Sequence, residues 1–112
     1  MTQVFQDPLA ASVFRVDRFV VPPESKIVFM ERLRRIQQIL DGQPGRLQNL
    51  VLTQIGDKGE ENVVTIVEWE SSEAMAAAAV MAKAKYAEEN FDPQSFMRTL
   101  GVQPKFGLYG KG

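Results

Sequence analysis

The passage that most restricts the fold is Val63-Val64-Thr65-Ile66-Val67-Glu68-Trp69-Glu70-Ser71-Ser72-Glu73-Ala74-Met75. It runs from a β-branched strand, through the only tryptophan, into an alanine-rich helix. Ser71 or Ser72 can cap that helix, because a serine oxygen accepts one of the amide protons left unpaired in a first turn. Glu73 falls where the positive end of the helix dipole favours an acid. Trp69 is thereby set at the end of a strand, where a side chain can line a cleft between a sheet and a helix layer.

The rest of the chain supplies matching elements. Residues 12–21 hold Val13, Phe14, Val16, Phe19, Val20 and Val21, all strand formers, and Pro22-Pro23 stops the strand because neither can donate to a ladder. Residues 1–11 are a lead of little pattern that includes Pro8, and residues 12–112 read as one domain. A helix is predicted over about 23–40, where Ile27, Met30, Leu33, Ile36 or Gln37, and Leu40 recur at steps of three and four. Proline is tolerated in its first turn and Glu24 complements its dipole. Gly42 and Pro44-Gly45 end it. Strands are predicted over 46–55 and 62–70, joined by a polar, glycine-containing hairpin loop at 56–61. A second helix over 72–89 carries Met75, Ala79, Ala82 and Tyr86 on one face. Asp92-Pro93 opens a short helix to residue 100, and 105–109 is a final strand.

The order β-α-β-β-α-(short α)-β predicts the α+β class. It is a ferredoxin-like βαββαβ plait, a four-stranded antiparallel sheet with the helices on one face. The other face has no helix, yet the strands are apolar on both sides. Phe14, Val16 and Val20 alternate with Val13, Phe19 and Val21, and Val63, Val67 and Trp69 alternate with Val64 and Ile66. A solvated antiparallel face should be polar. A second copy of the chain is the simplest cover, so a homodimer is expected.

Composition narrows the functions. At 112 residues and 45% hydrophobic content the chain can build one real core. A net charge of -1 from interspersed acids and bases gives no basic stripe, which argues against nucleic acid. No signal-peptide pattern or apolar run near the length of a membrane span is present, so a cytoplasmic location away from membranes is expected. The chain has no cysteine and no histidine. Disulfides, thiolate chemistry, imidazole triads, the usual zinc sites and histidine-ligated haem are therefore excluded. The acids fall mainly on helices without the spacing of a cation loop, so no metal and no cofactor is expected.

Five residues stand out as site candidates. Trp69 is either a core aromatic or a pocket wall whose indole N–H wants a partner. Asp17 lies inside an apolar strand, so it is paired or faces a polar cavity; Arg15, on the same strand face, can pair with it. Asn49 is polar on an apolar strand and satisfies a backbone group or meets a ligand. Thr65 is a hydroxyl on the strand face of Trp69, and Tyr86 lies on the apolar face of the second helix. The alanines of that helix either bring it close to the sheet or leave room beneath it for a flat ligand.

Three segments carry a resemblance: Phe14-Arg15-Val16-Asp17-Arg18-Phe19-Val20-Val21-Pro22, the turn Gln43-Pro44-Gly45, and Thr65-Ile66-Val67-Glu68-Trp69-Glu70-Ser71. Over residues 12–109 the chain resembles the antibiotic biosynthesis monooxygenase domain family. The resemblance implies a dimeric α+β barrel in which two plaits pack sheet to sheet. The family's haem-degrading branch uses a first-strand asparagine, a third-strand tryptophan and a second-helix histidine on iron; Trp69 matches, Asp17 replaces the asparagine, and no histidine exists. Its quinone-forming branch oxidises electron-rich polycyclic phenols with O₂ and neither metal nor flavin. There Trp69 again matches the pocket tryptophan, while Thr65 and Asp17 stand where asparagines would. The resemblance thus implies a cofactor-free monooxygenase of a small aromatic or polyketide-like compound. Asp17 and Trp69 would be catalytic, with Asn49, Thr65 and Tyr86 at the substrate. The competing expectation is a non-catalytic barrel that binds a metabolite or acts in stress response.

Overall fold

The structure is a computed structural model that describes residues 12–56 and 62–112. The lead over 1–11 and residues 57–61 of the hairpin loop lie outside the described residues. Strand β1 (Val13–Val20) is followed by a short 3-10 turn (Pro23–Ser25) and helix α1 (Lys26–Leu40). Strands β2 (Arg46–Thr53) and β3 (Val63–Trp69) come next, then helices α2 (Ser72–Glu88) and α3 (Pro93–Leu100) and strand β4 (Gln103–Gly110). All four strands form one antiparallel sheet in the order β2-β3-β1-β4, the plait expected from the sequence.

Local chemistry sets the ends of these elements. The Ser71 hydroxyl accepts from the Ala74 amide at 3.1 Å, so Ser71 rather than Ser72 caps α2. Asp92 caps α3 through the Gln94 amide at 3.1 Å, with Pro93 at the first helical position. The Asn62 side chain both accepts from the Val21 amide (2.9 Å) and donates to the Val21 carbonyl (2.8 Å), tying the end of β1 to the start of β3. Gly45 has φ +85°, and a Cβ built there would sit 2.6 Å from the Ala74 Cβ. The turn into β2 thus lies directly on the start of α2, a closeness only glycine permits.

Two details differ from expectation. The α1 face turned to the sheet is set by Phe29, Leu33 and Ile39, all buried, while Ile27 is 77% exposed. The rest of the predicted stripe turns inward, since Met30, Leu33 and Leu40 pack in the core, and Phe29 takes the place of Ile27 with its ring centroid 5.1 Å from that of Phe19. The last strand also starts earlier than predicted and includes Pro104. It is an edge strand, where a missing amide donor costs nothing on the open side.

Strand register fixes what each face carries, because directly opposed residues point the same way. Toward the helices stand Phe106, Asp17, Thr65 and Val51 in one row and Leu108, Arg15, Val67 and Asn49 in the next. On the helix-free face Val16 lies between Gly107 and Ile66, and Ile66 between Val16 and Leu50. Leu50 and Leu52 are exposed there. The core under the helices is split. One cluster joins Phe19, Val21, Phe29, Leu33, Val63 and Val102, with Phe96 and Met97 of α3 packed against it. A second joins Val67, Trp69 and Ala78, flanked by Leu40, Ala74 and Met75.

Candidate functional site

A cavity of about 670 Å³ lies between the sheet and the helices, with residues of both core clusters in its walls. Its floor includes Asp17, Thr65, Val67, Trp69 and Phe106; α1 contributes Leu33, Ile36, Gln37 and Leu40, and α2 contributes Ala78, Ala79, Ala82 and Tyr86. The alanines do both things their composition allows. Ala78 and Ala82 are buried, and their short side chains leave the space beneath α2 open.

Asp17 is an acid of the floor, with Arg15 beside it on the same strand face. It opposes Thr65 on β3 and Phe106 on β4. Burial pushes its carboxyl above the ordinary aspartate value, and the hydrogen bond and charge of Arg15 pull the other way without cancelling it. Arg15 Nε donates to Asp17 Oδ1 at 2.6 Å, and the two side chains are 41% and 18% exposed. Arg15 therefore sits toward water, where its attraction is screened, and its guanidinium also rests 5.0 Å from the centre of the Phe106 ring. The sequence poses a choice between an ion pair and a desolvated acid. Asp17 is in part both.

Trp69 is 3% exposed and packs with Val67 and Ala78 while also walling the cavity. Tyr86 lines the far end, its ring edge-on to Phe91 at 5.4 Å. Burial raises the Tyr86 phenol above its ordinary value, so it stays a neutral hydroxyl at working pH. The same end is fastened by Glu89. It accepts from Arg32 at 3.2 Å and from Arg35 more closely, tying α1 to the C-terminus of α2. The Arg35 hydrogen bond is the main reason that carboxyl lies below its ordinary value. Arg32 also covers Phe91, 3.9 Å from the ring centre.

Asp17, Thr65, Trp69 and Tyr86 thus meet in one cavity. Asn49 does not: it faces the helix side beside Val67 but lies outside the lining, and its Oδ1 is buried without a partner among the described residues. The sequence reading did not name most of the lining as site members, Gln37, Phe106 and Phe91 among them. Gln37 gave a signal, as a polar residue inside the apolar stripe of α1. Phe106 and Phe91 gave none, since their place depends on which strand β4 joins and on the loop after α2. Among the described residues no group of three or more acids, histidines or cysteines could hold a metal ion. No helix among them is long and apolar enough to cross a membrane.

No family model matches the sequence, and no curated protein matches it. Solved structures do. A cofactor-independent oxygenase from Streptomyces nogalater, SnoaB, superposes with a TM-score of 0.67 at 25% identity, over 92% of this chain and 95% of that one. This is the antibiotic biosynthesis monooxygenase fold. The haem-degrader MhuD from Mycobacterium tuberculosis, with two haems in its active site, matches at TM-score 0.67 and 23% identity, over 88% of this chain and 94% of that one. A conserved protein from Methanosarcina mazei matches at TM-score 0.67 with 14% identity, over 94% and 97% of the two chains. The fold is thus shared by an oxygenase that needs no cofactor and by a haem-degrader, so the chemistry of this chain has to be argued from its own cavity.

Proposed function

We propose that the chain is a cofactor-independent monooxygenase of small aromatic or polyketide-like compounds, working as a cytoplasmic homodimer. The observation that supports this most is Asp17, a carboxyl raised by burial at the floor of a largely apolar cavity that also holds Trp69. A base with a raised pKa is better matched to a phenolic proton. Asp17 takes that proton, and the electron-rich phenolate then gives one electron to O₂. Recombination of the two radicals forms a C–O bond, and the resulting hydroperoxide loses water to leave a ring carbonyl. The atoms balance as substrate CH₂ plus O₂ giving C=O plus H₂O, with the substrate as the only reductant. Trp69 holds the ring system flat against the floor, Thr65 offers a hydroxyl beside Asp17, and Tyr86 bounds the far end. Asn49 lies outside the lining and takes no part in this scheme.

SnoaB, described as a cofactor-independent oxygenase, lends support by analogy. The haem-degrading alternative is weakened by the absence of histidine. The homodimer is supported by the helix-free face, where Val16, Ile66, Leu50 and Leu52 would otherwise meet water. A second reading, a non-catalytic barrel that binds a metabolite, is favoured by the 2.6 Å contact between Arg15 and Asp17.

Oxygen uptake and Trp69 fluorescence, measured with a panel of anthrones, naphthols and flavonoids, test the proposal. A substrate should quench Trp69 and consume O₂, with the rate falling roughly 10²-fold in Asp17→Ala. Quenching without uptake would select the binding barrel. Neither signal from any compound would overturn both readings.

A further inference from the structure

We propose that Arg32 latches a second entrance to the cavity, set between α1 and α3 at the end of α2, and that its release joins the cavity to a cleft outside. The cavity meets solvent beside Phe106 and Lys83, both exposed members of its lining. The end bounded by Tyr86 and Phe91 is shut in a different way. Beyond it lies a cleft of about 400 Å³ bounded by Val28, Glu31, Arg32, Arg35, Glu89 and Phe96. Arg32 and Phe96 belong to the walls of both spaces. Cavity and cleft are therefore separated by two side chains, one from α1 and one from α3, rather than by a run of backbone. A partly exposed side chain changes rotamer without any helix moving.

Their contacts decide which of the two is the latch. Arg32 donates to Glu89 at 3.2 Å, and its guanidinium lies 3.9 Å from the centre of the Phe91 ring. Both groups of the ion pair are partly exposed, and contacts of these two kinds are weak where water reaches them. Letting go leaves no buried charge alone. Glu89 keeps the closer hydrogen bond from Arg35, and the freed guanidinium turns outward into the cleft, so the cost of stranding one half of a buried pair is avoided. Phe96, by contrast, is wedged against Phe91 with ring centroids 5.3 Å apart and packs on the Phe19 cluster. The backbone beside the latch is tied to itself. The Phe91 amide donates to the Tyr86 carbonyl at 2.8 Å and the Asn90 amide to the Ala87 carbonyl at 3.2 Å, with Asn90 at φ +54°. This pair of hydrogen bonds closes a helix C-terminus around a left-handed residue, so loss of the Arg32 contacts does not unwind α2. With a ligand in the mouth beside Phe106, the second entrance leaves O₂ and water a path to and from the cavity. That use rests on the oxygenase reading; the latch does not, and it is tested without substrate.

The chain has no cysteine, so one introduced thiol can report on the passage. In the full-length protein Ala82→Cys places it on the buried face of α2 that lines the cavity, one turn before Tyr86, and the probe is N-ethylmaleimide. Adding Arg32→Met should speed labelling roughly fivefold, the effect of losing one partly exposed ion pair and one cation–π contact. Adding Arg35→Met instead should leave the rate unchanged, because Arg35 borders the cleft but not the cavity. Acrylamide quenching of Trp69 makes the same comparison without the cysteine, and decides the matter if Ala82→Cys does not fold. An unchanged rate in Arg32→Met would overturn the latch. Equal acceleration by Arg32→Met and Arg35→Met would overturn it as well, since the whole end of α2 would then be coming away from α1 when the Glu89 clasp is weakened.

Discussion

A single carboxylate on the helix-free face should take the dimer apart. Ile66 lies in the middle of that face, opposite Val16 on β1 and Leu50 on β2. In an isolated chain it points outward and is only half-buried, so Ile66→Glu should leave the folded monomer nearly unharmed. In a sheet-to-sheet dimer the same carboxylate is taken from water into an apolar layer, at a cost of about 2 kcal/mol even on the lenient mutational scale for buried polar groups. Two-fold symmetry introduces it twice. The sum of about 4 kcal/mol is roughly a 10³-fold weaker dimer. Sedimentation velocity across a dilution series, with circular dichroism as the control for folding, measures this directly. Wild type should remain dimeric at low micromolar concentration and Ile66→Glu should be a folded monomer there. A folded wild-type monomer under those conditions, or a variant that dimerises as tightly as wild type, would refute the reasoning.

Other perturbations address the site and its frame. The folded pKa of Asp17 lies above its unfolded value of about 3.8, so its contribution to stability is full below that pH and is lost as pH rises through the folded pKa. Asp17→Asn, fixed neutral, should therefore melt above wild type at pH 7 by scanning calorimetry, with the gap closing in acid, while its oxygenase rate falls about 10²-fold. In Arg15→Met the downward pull on Asp17 is gone, so the acid limb of the pH–rate profile should move to higher pH; a limb that stays in place would mean that Asp17 is not the base. Gly45→Ala puts a Cβ at positive φ against Ala74. It should lose about 1–3 kcal/mol in urea unfolding, and a loss below a few tenths would mean that the turn is not pinned to α2.

The elements and their order are legible in the sequence because each boundary has its own chemistry: Pro22-Pro23 after β1, Gly45 before β2, Ser71 before α2, Asp92-Pro93 before α3. The doubly apolar strands show as well, since alternation with period two survives on both faces of β1 and β3. The face of α1 is legible except at its start. Met30, Leu33, Ile36 and Leu40 turn inward as their spacing predicts, whereas Ile27 is exposed and Phe29 packs on Phe19 instead. Within the site, Asp17 and Trp69 stand out by being a lone acid in a strand and a lone indole. The partnership of Asp17 with Thr65 and Phe106 is a matter of register, which no local pattern encodes. The environment of Asp17 was equally hidden, because a neighbouring arginine and a low-dielectric cavity oppose each other and only their geometry sets the balance.

The division of the core into two clusters that share no member bears on how a ligand enters. Helix α3 and most of α1 are anchored in the cluster around Phe19, with Leu40 reaching the other cluster, whereas α2 is held by the small or flexible side chains of Ala74, Met75, Ala78 and Ala82 and at its end by the Glu89 clasp. Lifting α2 from the sheet breaks few large apolar contacts and leaves the Phe19 cluster intact, which makes it the natural unit of partial opening. Its amides should exchange with deuterium sooner than those of the middle of α1. A cavity ligand should slow α2 selectively, and equal protection across both helices would show that the two halves of the core open together.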